Sequence, residues 1–175
     1  MVGTDSRPAP NIAALTEGVD ERSERSIATL LPQVRPFARS LVLKAAEAGI
    51  RIKVICGTRT YAEQDALYAK GRNASGVVVR PREVVTNAKG GQSNHNFGIA
   101  FDVGVFEGSR YLGDSPKYKA VGVLGEQLGL EWGGNWRTIR DQPHFQCRPE
   151  WAAELTEREM LAELRRRKSD GRPVG

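Results

Sequence analysis

The chain has 175 residues (19.2 kDa), with 26 Lys and Arg against 21 Asp and Glu, hence a formal net charge of +5 and a pI near 9.5. That length suits one domain burying roughly 70% of its unfolded surface, and a hydrophobic fraction of 39% excludes a wholly disordered or fibrous chain. No apolar run approaches the ~18 residues of a membrane span, and two cysteines are too few for a disulfide scaffold.

Residues 1–22 mix Pro, Gly, Ser and charges without a period and read as a flexible leader. Asp5, Glu17 and Asp20 interrupt it, so a secretory signal is not expected and synthesis in the cytoplasm is. The folded domain is expected over 23–168, with a polar tail over 169–175. From Ile27, apolar residues at Leu30, Leu31, Val34, Ala38, Leu41 and Ala45 recur at helical spacing. Pro32 and Pro36 should split this helix into a short and a longer piece, and Gly49 should end it. Ile50, Ile52, Val54 and Cys56 then follow the period of two that marks a strand. Thr60 and Glu63 have capping-box spacing and open a helix to about Lys70, stopped by Gly71.

Residues 73–94 have no helical period; Val77–Val79 and Val84–Val85 are expected as short edge strands within a long loop. Residues 99–106 (IAFDVGVF) read as a buried strand, with Ile99, Phe101, Val103 and Val105 on one face and Ala100, Asp102, Gly104 and Phe106 on the other. Ser115–Pro116 starts a helix closed by Gly129. A Trp- and Gly-rich loop over 131–136 precedes a short strand at His144–Cys147, and one last helix is expected from about Pro149 to Arg167. Its basic run, Arg165–Lys168, suits the negative end of a helix dipole and is expected to be solvated. Irregular alternation of helices with short strands able to pair antiparallel indicates an α+β domain.

The chain has only two histidines, His95 and His144. Asp102 follows the first by seven residues, and Asp141 precedes the second by three. A carboxylate within the apolar strand 99–106 costs several kcal/mol if unpaired, so Asp102 needs a cation, a metal or several donors. Two imidazoles and one carboxylate can also form a three-ligand metal site with an open fourth position, and without a thiolate that set suits catalytic zinc. Cys56 and Cys147 are expected as reduced thiols.

The pattern Ser93-x-His95-x-x-Gly98-x-Ala100-x-Asp102, followed by Asp141-x-x-His144-Phe145, resembles the zinc signature of the D-Ala-D-Ala carboxypeptidase superfamily. Gly57-Thr58-Arg59-Thr60 with Gln64, Leu67, Tyr68 and Gly71-Arg72, and the block Glu131-Trp132-Gly133-Gly134-Asn135-Trp136, are similar to its L-alanyl-D-glutamate endopeptidases of phage endolysins and bacterial wall hydrolases. The resemblance covers about residues 25–147. It implies a small, mostly antiparallel sheet packed with helices, with Zn²⁺ held at the sheet by His95, Asp102 and His144. It further implies Asp141 as general base and Arg59 as the group facing the developing oxyanion. Ser93 and Gln146 become candidates to orient the ligands, and Trp132 and Trp136 candidates to wall a substrate groove.

The activity so implied is hydrolysis of the peptidoglycan stem peptide, with Asp at 141 favouring the L-Ala–D-Glu bond. A D,D-carboxypeptidase or dipeptidase is the near alternative. A non-catalytic basic module binding wall or nucleic acid is the alternative of another class, disfavoured by Asp141 and Arg59. A monomer without nucleic-acid partner is expected, reaching the wall through a holin-type pore or lysis.

Overall fold

The computed structural model describes residues 18–137 and 139–175; residues 1–17 of the expected leader lie outside the described residues. The first helix, α1 (Glu21–Ala28), begins where Asp20 accepts from the backbone N–H of Ser23 at 3.1 Å and from its hydroxyl at 2.6 Å. The same Ser23 hydroxyl accepts from the N–H of Val54 at 2.9 Å, fastening α1 to the strand β1 (Arg51–Cys56). Between them runs α2 (Arg35–Glu47). Pro32 falls in the break between the helices and Pro36 in the first turn of α2, where its missing N–H costs nothing.

Helix α3 (Tyr61–Ala69) carries the expected capping box of Thr60 and Glu63. Strand β2 (Ala100–Glu107) lies between β1 and β5 (His144–Gln146), and β5 pairs in turn with β4 (Glu131–Trp132). The short β3 (Arg110–Leu112) also pairs with β2, and all these pairings are antiparallel. The architecture is α+β, as the sequence indicates. α4 (Lys117–Gln127) lays Tyr118 and Val121 on the sheet. There they join Ile27, Leu41, Val54, Phe101, Val103 and Phe145 in the main core. Gly122 and Gly125 let that helix close down: a Cβ would stand 2.3 Å from the Trp132 ring at one and 2.4 Å from the Phe145 ring at the other.

Three expectations are corrected. The valines of 77–85 form no edge strand: the loop holds a single bridge, Arg72 to Val78, and a 3₁₀ turn at Pro81–Glu83. Side chains organise it instead. Arg72 donates to the Thr86 carbonyl at 3.0 Å and to Asn87 at 2.7 Å, while Asn73 accepts from the N–H groups of Ser75 and Val77. The C-terminal segment is also not one helix. A 3₁₀ turn at Glu150–Ala152 is followed by α5 (Glu157–Ser169), opened by a second capping box, Thr156 with Glu159.

Nor is the basic run simply solvated. Arg165 donates to the Gly91 carbonyl and Lys168 to that of Asn96, both at 2.9 Å, while Met160 and Leu164 pack with Phe97 and Ile99. Helix α5 therefore braces the turn that carries His95. No helix among the described residues is long and apolar enough to cross a membrane.

Candidate active site

Asp102 and His144 are directly opposed across β2 and β5, and Cys56 faces Asp102 from β1 beyond a bulge. Sheet register thus brings together residues 42 positions apart in the chain. His95 comes from a 3₁₀ turn, Asn94–Phe97, closed by Gly98 in the left-handed region (φ 73°). That turn is tied down by Asn96, whose side-chain oxygen accepts from Gly91 N–H at 2.9 Å and whose amide donates to the Arg59 carbonyl at 3.1 Å.

The two rings meet the same carboxylate oxygen. His95 Nε2 lies 3.1 Å and His144 Nδ1 3.4 Å from Asp102 Oδ1, with ring centroids 5.1 Å apart. The remaining ring nitrogens face acceptors: His95 Nδ1 donates to the Gly57 carbonyl at 2.8 Å, and His144 Nε2 donates to Gln146 Oε1 at 2.9 Å. Each imidazole is thereby oriented with its other nitrogen directed at Asp102, the arrangement that metal-binding histidines require. Asp102, Asp141 and His144 offer three ligand atoms within 4.8 Å of one another, and so do Cys56, His95 and Asp102.

The electrostatics demand positive charge here. Burial alone would raise the Asp102 carboxyl, but the charge of His95 and hydrogen bonds from both histidines hold it far below the usual carboxylate range. Burial alone would lower His95; Asp102 instead lifts it to about 9. Without a metal, a proton on His95 supplies the cation. Imidazole and carboxylate donors preoriented around a buried negative oxygen fit a divalent ion such as Zn²⁺. Asp141 behaves in the opposite way: burial first, then the nearby charge of Asp102, pushes its carboxyl above the ordinary value.

Arg59 is heavily engaged. Its Nε donates to Cys56 Sγ (3.2 Å), Nη1 to Gln64 Oε1 (3.1 Å) and Nη2 to Asp102 Oδ2 (3.0 Å). Of five guanidinium N–H groups, one on each Nη remains for the cleft that Arg59 lines. Ser93 lines the same cleft at the start of the His95 turn. Trp136 lines it too, tilted over the His144 ring at 4.8 Å between centroids. Trp132 does not: it is buried in the core, its indole N–H donating to the Gln142 carbonyl at 2.8 Å. Both cysteines are free and half-buried.

Sequence reasoning missed the Gly57 carbonyl, Asn94 and the trio Glu131, Arg148 and Glu157. A backbone acceptor leaves no trace in residue type. The trio had one signal, an arginine two residues beyond Gln146, the spacing that keeps one face of an extended chain.

A profile of the D-alanyl-D-alanine carboxypeptidases matches residues 86–147. The peptidoglycan L-alanyl-D-glutamate endopeptidase CwlK of Bacillus subtilis is 35% identical over 130 residues, spanning 69% of this chain and 74% of that protein. The chain belongs to the D-alanyl-D-alanine carboxypeptidase family of metallopeptidases. As a member it is a metal-dependent peptidase, and the non-catalytic alternative is set aside.

Among solved structures, the L-Ala D-Glu endopeptidase ChiX of Serratia marcescens matches with TM-score 0.54 and 25% identity, covering 73% of this chain and 87% of ChiX. The vancomycin-resistance D,D-pentapeptidase VanY, solved with Zn(II), has the same fold at TM-score 0.54 and 16% identity, covering 76% of this chain and 78% of VanY.

Proposed function

We propose that this family member is a zinc-dependent endopeptidase that cleaves peptidoglycan stem peptides between L-alanine and D-glutamate, acting at the cell wall. The observation that carries the reading is the convergence of His95 Nε2 and His144 Nδ1 on Asp102 Oδ1, with Asp141 close by. The L-alanyl-D-glutamate endopeptidase activities of CwlK and ChiX support the choice of bond. His95, Asp102 and His144 are the residues that would hold Zn²⁺. The ion, when bound, supplies Lewis acidity that makes water a competent nucleophile near neutral pH.

Asp141 is the proton carrier. Its carboxylate takes a proton from the attacking water and returns it to the leaving amine, and a carboxyl raised by burial is better matched to that task than an ordinary one. Arg59 holds Asp102 through Nη2 and turns its two uncommitted N–H groups toward charge developing on the scissile carbonyl oxygen. Trp136 covers His144 and excludes water from that side.

The test is mass spectrometry of fragments released from purified sacculi. New D-glutamate amino termini are expected; free D-alanine as the sole product would replace this reading with a D,D-carboxypeptidase.

A further inference from the structure

Gln64, on α3, is a polar residue with 0% exposure, so it reaches neither solvent nor a peptide in the cleft. A buried amide is unfavourable unless both of its ends find partners, and here both ends are used. Its Nε2 donates to the Ala88 carbonyl at 2.9 Å, and its Oε1 accepts from Arg59 Nη1 at 3.1 Å. A carbonyl only accepts and a guanidinium only donates, so the amide cannot be turned over. Ala88 belongs to the cleft wall, together with Val85, Thr86 and Gln92. One buried side chain therefore joins that wall to Arg59.

The other contacts of Arg59 define what this one adds. Its backbone is pinned to the His95 turn: the N–H donates to the His95 carbonyl at 3.0 Å, and the carbonyl accepts from Asn96. Several rotatable bonds separate that anchor from the guanidinium, which needs restraints of its own. Nε reaches the Cys56 sulfur, a weak acceptor, and Nη2 reaches Asp102. Those two nitrogens form one edge of the planar group, and a plane held along one edge can still rock about it. Gln64 takes Nη1, off that edge, and so fixes the plane. It is also neutral. It orients the guanidinium without cancelling the positive charge that faces the developing oxyanion.

We infer that Gln64 is a positioning residue for hydrolysis: it fixes the guanidinium plane of Arg59, and with it the two N–H groups aimed at the scissile carbonyl oxygen. The inference rests on the role given to Arg59 in the endopeptidase reading and deepens it. The cleft wall itself has other ties. Asp65 accepts from the Gly90 N–H at 2.7 Å, and Arg72 holds Thr86 and Asn87. Loss of Gln64 should therefore disturb the transition state far more than the binding of the peptide.

The test is a double-mutant cycle on the zinc-loaded full chain, using a synthetic stem pentapeptide that contains both the L-Ala–D-Glu and the D-Ala–D-Ala bonds. Gln64→Met keeps length and volume but loses the amide. It should lower kcat roughly 10- to 100-fold, as a misaimed catalytic group does, with KM within about threefold of wild type. In an Arg59→Ala background the same substitution should cost no more than about twofold, because the group it positions is gone. A role in packing alone gives equal losses in both backgrounds. That result, or wild-type kcat in Gln64→Met, overturns the inference. A second measurement needs neither turnover nor a folded variant. In the wild-type chain, Nη1 and Nη2 of Arg59 should give separate ¹⁵N signals, since exchanging them breaks the bonds to Gln64 and Asp102; one averaged signal also overturns it. Failure of the endopeptidase reading looks different: the wild type then cuts the other bond, and the cycle is measured on whichever bond is cut. Full activity in Arg59→Ala would remove the role of Arg59, and that of Gln64 with it.

Discussion

Gln146 Oε1 lies 2.9 Å from His144 Nε2, and its amide can face only one way. Gln146 Nε2 meets the carboxylates of Glu131 and Glu157, which only accept, so Oε1 must face the ring and Asn94 Nδ2. His144 Nε2 therefore points a proton at Gln146, and Nδ1 is the ring nitrogen turned to Asp102. Gln146→Leu keeps most of the volume and removes the acceptor, so the ring loses the partner that fixes its orientation. Zinc affinity, measured by competition with a chromogenic chelator, should fall about 10- to 100-fold. Unchanged affinity would remove Gln146 from the positioning of His144.

Asp141 links activity and stability with opposite signs. Its carboxyl is raised in the folded state, so the fold binds that proton more tightly than the unfolded chain does. The resulting penalty is absent below the ordinary carboxylate range and develops as pH rises through it toward the elevated folded value. Asp141→Asn removes the penalty. The metal-free variant should melt higher than wild type at pH 7, with the gap closing at low pH. Its hydrolysis of stem peptide should meanwhile drop ~10²–10⁴-fold with zinc still bound.

Gly133 is required for space. A Cβ there would stand 2.4 Å from the Asp141 carbonyl oxygen and 3.0 Å from His144 Cβ. The Gly133 carbonyl also accepts from Asp141 N–H at 3.0 Å. Gly133→Ala should cost ~1–3 kcal/mol in denaturant unfolding and lower kcat disproportionately, because the displaced loop carries the proton acceptor. A variant with wild-type kcat and stability would show that the loop absorbs the methyl group.

Metal removal should uncouple fold from function. The metal-free site is held by the His95–Asp102 pair and Arg59, so a chelator should abolish hydrolysis while leaving the far-ultraviolet circular dichroism intact. Restoring Zn²⁺ to 100 times its Kd should return activity and stabilise the protein by about 2.7 kcal/mol, read as a rise in Tm.

Local chemistry was legible in the sequence wherever it acts between near neighbours. The Thr60–Glu63 capping box, the alternation through Ile52 and Val54 and the two faces of 100–106 all depend on contacts a few residues apart, and each stands as read. Cys56, read on the face of Val54, is turned by the bulge to the face of Asp102. The candidate site residues stood out because a carboxylate in an apolar strand has few permitted explanations. Thr156 and Glu159 have the same capping-box spacing as Thr60 and Glu63, yet the sequence reads as one helix across the break between Ala152 and Glu157.

What only the tertiary structure decided is long-range. The β2–β5 register sets Asp102 against His144, and a slip of one residue would turn that histidine to the other face. The valines of 77–85 have strand propensity, but the backbone they meet, at residues 71–73, pairs through one bridge only, and side-chain hydrogen bonds shape the rest of that loop. Lys168, 73 residues after His95, reaches the turn that holds it. Propensity and capping arise within a few residues, whereas register, buried charge pairing and helix bracing arise from which distant surfaces meet.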